Sequence, residues 1–139
     1  MSRERNIQAQ SRLGEIIAAK EVDRLHEVFH ENVVDHDPAP GQEPGVAGIK
    51  QFWSGFLAAF PDLSIDLESL VADDDTVVVT LTVTGTHSGP LMGIAPTGKR
   101  MSVRGIQVGR FEDGMLVERW GSTDQLGMLQ QLGLVDIGS

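Results

Sequence analysis

Residues 76–87, TVVVTLTVTGTH, decide the fold. Val77, Val79, Leu81 and Val83 point one way and Thr76, Thr80, Thr82, Thr84 and Thr86 the other, the period-two alternation of a strand with one buried face. Just upstream, residues 64–72 set Ile65 and Leu67 against Asp66 and Glu68, and Asp73-Asp74-Asp75 supplies the turn between the two strands. Downstream, the loop SGPLMGIAPTGK (88–99) leads to a third strand at 101–111. Glu112-Asp113-Gly114 then reverses the chain into a fourth at 115–122. The carboxy-terminal half is therefore an antiparallel meander.

The amino-terminal half reads as helical. Ile7, Leu13, Ile16 and Ile17 form a loose apolar stripe, and Val22, Leu25, Phe29 and Val33 continue one in the next segment. Residues 35–45, DHDPAPGQEPG, are dense in Pro and Gly and form a loop. Ile49, Phe52, Trp53, Phe56 and Phe60 then fall on one face of a strongly patterned helix, which Pro61-Asp62 ends. A short helix from Asp124 to Leu132 closes the chain, with Ser122 and Gln125 spaced as a capping box. Helices followed by a meander predict an α+β fold in one domain over residues 1–139, the helices packed on one sheet face. Gly85 and Gly105 lie within strands and would let the sheet bend. The expected result is a cone-like, strongly bent antiparallel sheet around an apolar pocket. The regular threonine face is either a dimer interface or a solvated surface.

Composition narrows the function classes. Eleven Lys and Arg against twenty Asp and Glu leave a net charge of −9, which disfavours nucleic acid and anionic membrane surfaces. The chain has no cysteine, so disulfide and thiolate chemistry are excluded. No apolar run approaches a membrane span, and charges are scattered through the first twenty residues where a signal peptide needs an apolar core. A cytoplasmic bacterial protein is expected. Neither a glycine-rich phosphate loop nor a G-x-S-x-G elbow occurs, so no cofactor is expected.

Residues 26–30, HEVFH, match H-E-x-x-H. On a helix carrying Leu25, Phe29 and Val33, His26 borders the apolar stripe, His30 lies farther off it and Glu27 turns to solvent. A surface helix without metal is the preferred reading.

Four residues carry better chemical prospects. Asp124 begins the last helix, where an acid is favoured by unpaired N–H groups; it either caps that helix or carries a proton in the pocket. His36 is flanked by Asp35 and Asp37, as a catalytic imidazole or as part of an exposed turn. Gln107 is the lone polar side chain on its strand face, among Val103, Gly105, Gly109 and Phe111, and would orient a ligand carbonyl or hydroxyl, or bond to a loop. His87 ends the long strand in phase with Val77 and Val79, facing the pocket or satisfied by backbone.

The segments DHDPAPGQEPGVAGIKQFW, FLAAFPDL, TGTHSGPLMGIAPTGK and GRFEDGMLVERWGSTDQLGMLQQLG, in that order, resemble the SnoaL-like polyketide cyclases of the nuclear-transport-factor-2-like superfamily over about residues 22–134. The resemblance implies a cone-like α+β barrel, assembled as a homodimer or homotetramer, that closes rings by intramolecular aldol condensation without metal or cofactor. It implies Asp124, after Trp120 in W-x-x-x-D, as acid/base, with His36 and Gln107 beside it. Trp53, Phe56, His87, Met92 and Trp120 are expected to line the site of a hydrophobic substrate. Near Gly109 the chain departs from the cyclase pattern, in which the resemblance implies a further His on the strand of Gln107. Hydration, dehydration or isomerisation in the same cavity, and non-catalytic small-molecule binding, are the alternatives.

Overall fold

A computed structural model describes residues 2–136; Met1 and residues 137–139 of the expected 1–139 domain lie outside it. The elements run α1 (Arg3–Ala18), a 3-10 turn (Val22–Glu27), β1 (Phe29–Asp35), α2 (Gly45–Ala59), β2 (Ser64–Ala72), β3 (Thr76–Thr86), β4 (Arg100–Glu112), β5 (Met115–Thr123) and α3 (Gln125–Gln131). They form an α+β fold around one five-stranded sheet of order β1-β5-β4-β3-β2.

Within the meander the pairing follows from the alternation. Val79 faces Gln107 and Val77 faces Gly109 across β3 and β4. Gln107 faces Gly121 and Gly109 faces Arg119 across β4 and β5. Register shifts at Leu67/Ser69 and Arg110/Phe111 mark bulges, the devices that bend strands.

Two expectations are corrected. The sheet is mixed, because β1 pairs parallel with β5, and it is not closed into a barrel, since β1 and β2 are its two edges. The segment 22–33 is also not one helix. It splits into the 3-10 turn and β1, because a four-residue spacing of Leu25, Phe29 and Val33 suits a strand at 29 and 33 as well as a helix, and pairing with β5 decides between them. His26 and His30 therefore lie on different elements. His26 Nδ1 is 3.4 Å from Lys50 Nζ, and His30 Nδ1 accepts from the Asn32 amide.

Helices cover one face only. Ser2 caps α1 through its hydroxyl on the Arg5 N–H, and Ile16 drives the helix into a cluster with Leu25, Val28, Phe29, Val33, Ile49, Val77, Val79, Phe111 and Leu116. Asn6, buried beside it, donates to the Asp74 carbonyl at 2.9 Å and ties α1 to the β2–β3 turn. A second cluster joins Ala59, Phe60, Val83, Leu91, Met101, Val103, Met128 and Leu132 around the end of α2 and the second half of α3. Leu81, at mid-strand, packs against both. The inner face is therefore apolar at its two ends and differs between them.

Candidate functional site

Between the two clusters the inner face turns polar. Alternation from the β4–β5 pairing places Gln107 there, together with Arg119, Gly121 and Thr123 of β5. Asp35, at the end of β1, lies opposite Arg119 in the parallel pair. Arg119 Nη1 donates to Asp35 Oδ1 at 2.5 Å, and Arg119 Nη2 donates to Gln107 Oε1. Gln42 Nε2 donates to the other Asp35 oxygen at 2.9 Å. Both charged side chains of the pair are mostly buried, where an ion pair needs its remaining positions filled by hydrogen bonds.

Gly121 makes this cluster possible. A Cβ at that position would overlap Arg119 Nη2 and Gln107 Oε1. Its amide N–H is held by Asp37 Oδ2 at 2.8 Å, which fixes the DHDP loop against β5. Gly109, near which the resemblance implied a further His, is closely packed. A Cβ at Gly109 would lie 3.2 Å from both Leu116 Cδ1 and Phe111 Cε1, so core packing occupies that place.

His36 lies on the opposite face of the sheet. Its neighbours Asp35 and Asp37 in the sequence do not orient it. Glu118 does, with Oε2 2.6 Å from His36 Nε2, while Glu118 Oε1 accepts from Arg110 Nε at 2.7 Å. The imidazole stacks on Trp120 with ring centres 4.6 Å apart and planes 8° from parallel. The Arg110 hydrogen bond first, and His36 second, hold the Glu118 carboxyl below the usual glutamate range.

Asp124 is the N-cap of α3. Its Oδ1 accepts from the Gly127 N–H at 2.8 Å, so Asp124 performs the capping that Ser122 and Gln125 were expected to share. It is exposed, and with Glu68, Thr80, Arg104, Ile106 and Ser122 it borders a shallow open depression. No aromatic wall surrounds it there. Among the three expected catalytic residues, Gln107 thus occupies the inner face, His36 the outer face and Asp124 the cap.

The expected lining residues also separate. Trp53 packs against the first core cluster and Phe56 against the second. Phe52, Phe56, Phe60 and His87 form a file of rings with successive centres 5.4, 5.1 and 5.6 Å apart. His87 is 0 % exposed; its Nδ1 accepts from the Thr97 N–H at 3.2 Å and lies 3.0 Å from Thr97 Oγ1. The backbone donor makes Nδ1 the acceptor, so the ring proton sits on Nε2, which is buried with no partner among the described residues. His87 is thereby an anchor for the 88–99 loop. Met92, in the turn of that loop closed by the Leu91–Ile94 bridge, is 72 % exposed.

Sequence reasoning passed over Arg119, Asp35 as its partner, Gln42 and Gly121. The parity of MLVERWGST counted from the Glu112-Asp113-Gly114 turn puts Arg119 in phase with Gln107, and a lone arginine on an inner face was a usable signal.

An open mixed sheet, helices over one face and a hydrogen-bonded polar island at the centre of that face define a small α+β protein with a candidate inner-face site. The chain matches the family model of the SnoaL-like polyketide cyclases over residues 7–132 and belongs to that family. It is similar to TsrD of Streptomyces laurentii, at 28% identity and a TM-score of 0.87 over 97% of this chain and 99% of that one. A protein of Acidithiobacillus ferrooxidans provisionally named a polyketide cyclase is 31% identical, with a TM-score of 0.80 over 95% and 96% of the two chains. AclR of Streptomyces galilaeus, provisionally named a hydroxylase, is 28% identical, with a TM-score of 0.84 over 97% and 100%. No curated protein matches. Among the described residues no helix is long and apolar enough to cross a membrane.

Proposed function

We propose that the chain is a cofactor-independent enzyme of cyclase type that enolises a hydrophobic carbonyl compound and closes a carbon–carbon bond by aldol attack. The observation that carries this reading is the Asp35–Arg119–Gln107 chain, the polar island on an otherwise apolar inner face. Such a donor placed against a carbonyl oxygen stabilises the charge that develops when the α-proton leaves. The base takes that proton, the enolate carbon attacks a ketone of the same molecule, and the new alkoxide receives a proton in return. Asp124 and His36 are the acid/base candidates that the resemblance supplies; because His36 projects from the face opposite Gln107 and Asp124 caps α3, this reading requires the acting one to turn to the inner face. They do not touch each other in any hydrogen bond, so each can be tested alone.

Non-catalytic binding of a small hydrophobic molecule is the second reading. The observation favouring it is that Asp124 is an exposed cap.

Deuterium exchange separates the two. The protein in D2O is given a panel of polycyclic aromatic ketones and β-ketoesters, and α-deuteration is followed by mass spectrometry. Catalysis predicts exchange above the buffer rate, reduced by about 100-fold when the acting acid/base is replaced. Quenching of Trp fluorescence by panel members, with exchange at the buffer rate, would establish the binding reading instead.

A further inference from the structure

We propose that Arg119 is the positioning residue that fixes which end of the Gln107 amide meets the ligand, so that the site accepts an oxygen gaining negative charge and rejects a donor. The inference rests on the inner-face reading above and deepens it.

A glutamine amide has a donor end and an acceptor end of nearly equal size, and a free one can present either. A guanidinium carries donors only, so the Gln107 atom that meets Arg119 Nη2 is Oε1. Its Nε2 then points away from Arg119, and it has no hydrogen bond to any described residue. Arg119 cannot swing aside easily. Its Nη1 is bound to Asp35, whose two oxygens are further fixed by Gln42 Nε2 at 2.9 Å and the Asp37 N–H at 3.0 Å.

The direction of the chain is therefore set throughout: Gln42 donates to Asp35, Arg119 donates to Asp35 and to Gln107, and Gln107 has only N–H left to offer. A cationic donor on Oε1 also polarises the amide and strengthens its N–H groups. Because Asp35 neutralises Arg119, the group offered to a ligand is a dipole with little net charge. It suits a carbonyl becoming an enolate, or a phenolate, better than a phosphate or another multiply charged anion. Gly121 keeps the gap in which the two side chains meet.

The probe is 2-naphthol, whose phenol and phenolate forms fluoresce differently, titrated against the folded protein across the pH at which the probe ionises. Wild type is expected to bind the phenolate in preference to the phenol. Gln107→Glu retains an acceptor for Arg119, so it should fold, but it turns a carboxylate oxygen towards the ligand. Phenolate affinity should fall about tenfold or more while the neutral phenol is retained. Arg119→Lys keeps a charge for Asp35 and loses the second arm to Gln107, so the phenolate-over-phenol ratio should fall towards one with phenol affinity little changed. Circular dichroism checks that each variant is folded.

Absence of phenolate binding or of a phenolate preference in wild type, phenolate binding by Gln107→Glu at wild-type strength, or a wild-type phenolate-over-phenol ratio in Arg119→Lys overturns the inference. Ketone exchange with no phenolate preference sinks this assignment and leaves the enzymatic reading standing. Phenolate preference without exchange of any ketone does the reverse.

Discussion

Arg119 and Asp35 are partners in the parallel pairing of β5 with β1, and their side chains meet at 2.5 Å on the inner face. The pair is the one ion pair of the described residues in which both side chains are less than one-fifth exposed. It joins an edge strand to the meander. Removing one partner leaves a desolvated charge behind, so Asp35→Ala should destabilise the fold by about 3 kcal/mol. Urea denaturation at neutral pH measures this, with Glu21→Ala, which removes an exposed pair, as the small-effect comparison. Equal losses in the two variants would show that the inner pair is solvated.

Gly121→Ala tests the space beside that pair. The added methyl group overlaps Arg119 Nη2 and Gln107 Oε1, and relief requires one of them to move. A loss of about 1–3 kcal/mol is expected from overpacking. In Gln107→Ala the gap is wider, so Gly121→Ala should cost less on that background. A double-mutant cycle from denaturation midpoints reads the difference, and strict additivity would mean that the two positions do not share the space.

How much of this arrangement was legible depends on how local each signal is. The meander could be read because Val and Thr alternate through Thr76–Thr86, and the two acidic turns fix where the neighbouring strands begin. α2 was legible from Ile49, Trp53, Phe56 and Phe60. β1 was not, since a strand added parallel to β5 is specified by contacts 84 residues apart in sequence, as in Asp35 with Arg119. Its apolar residues fit either periodicity. The same missing strand hid the faces. Without β1 in the sheet, Asp35 and His36 are neighbours in one loop; with it they project to opposite sides, and His36 finds Glu118 instead of its own flanking acids. Asp124 was legible as a helix start, and the structure places it in that role.

The threonine face supplies an assembly prediction. Val34, Val71, Ile106 and Trp120 are exposed on that face, with Val71 at 67 % and Ile106 at 50 %. The strand pairings put Ile106 beside Thr80 and Ser122, in the middle of the sheet. We propose that a second copy of the chain covers this face, in keeping with the homodimer expected from the sequence. Ile106→Glu would place an unpaired charge at the centre of such an interface and should convert dimer to monomer in sedimentation velocity. A monomeric wild type at every concentration tested would remove the proposal.

Acid should unfold the protein partly through its turns. Asp73 Oδ1 accepts from the Asp75 and Thr76 N–H groups at 3.1 and 2.8 Å, and these bonds hold its carboxyl below the usual aspartate range. A depressed folded value means that the carboxylate contributes stability above its unfolded value of about 4, and that this is lost as pH falls through the folded value. Asp73→Asn removes the titration and keeps an acceptor oxygen. Wild type should therefore be the more stable at pH 7, and the gap should close as the solution is acidified. A gap in urea midpoint that stays constant with pH would assign the effect to shape alone.

Asp124 can be divided between its two roles by choice of substitution. Asn caps a helix about as well as Asp, because its side-chain oxygen accepts the same N–H, but it cannot carry a proton. Asp124→Asn should leave the melting temperature close to wild type, whereas Asp124→Ala gives up the bond to Gly127 and should lose about 1 kcal/mol. Seven residues make α3 too short to hold without its cap and its contacts through Met128 and Leu132. If Asp124 shuttles the proton, Asp124→Asn loses deuterium exchange on a ketone that wild type turns over, at unchanged stability. If exchange survives in Asp124→Asn and weakens only in Asp124→Ala, the carboxylate serves the helix, and His36 on its Glu118 support becomes the residue to replace next.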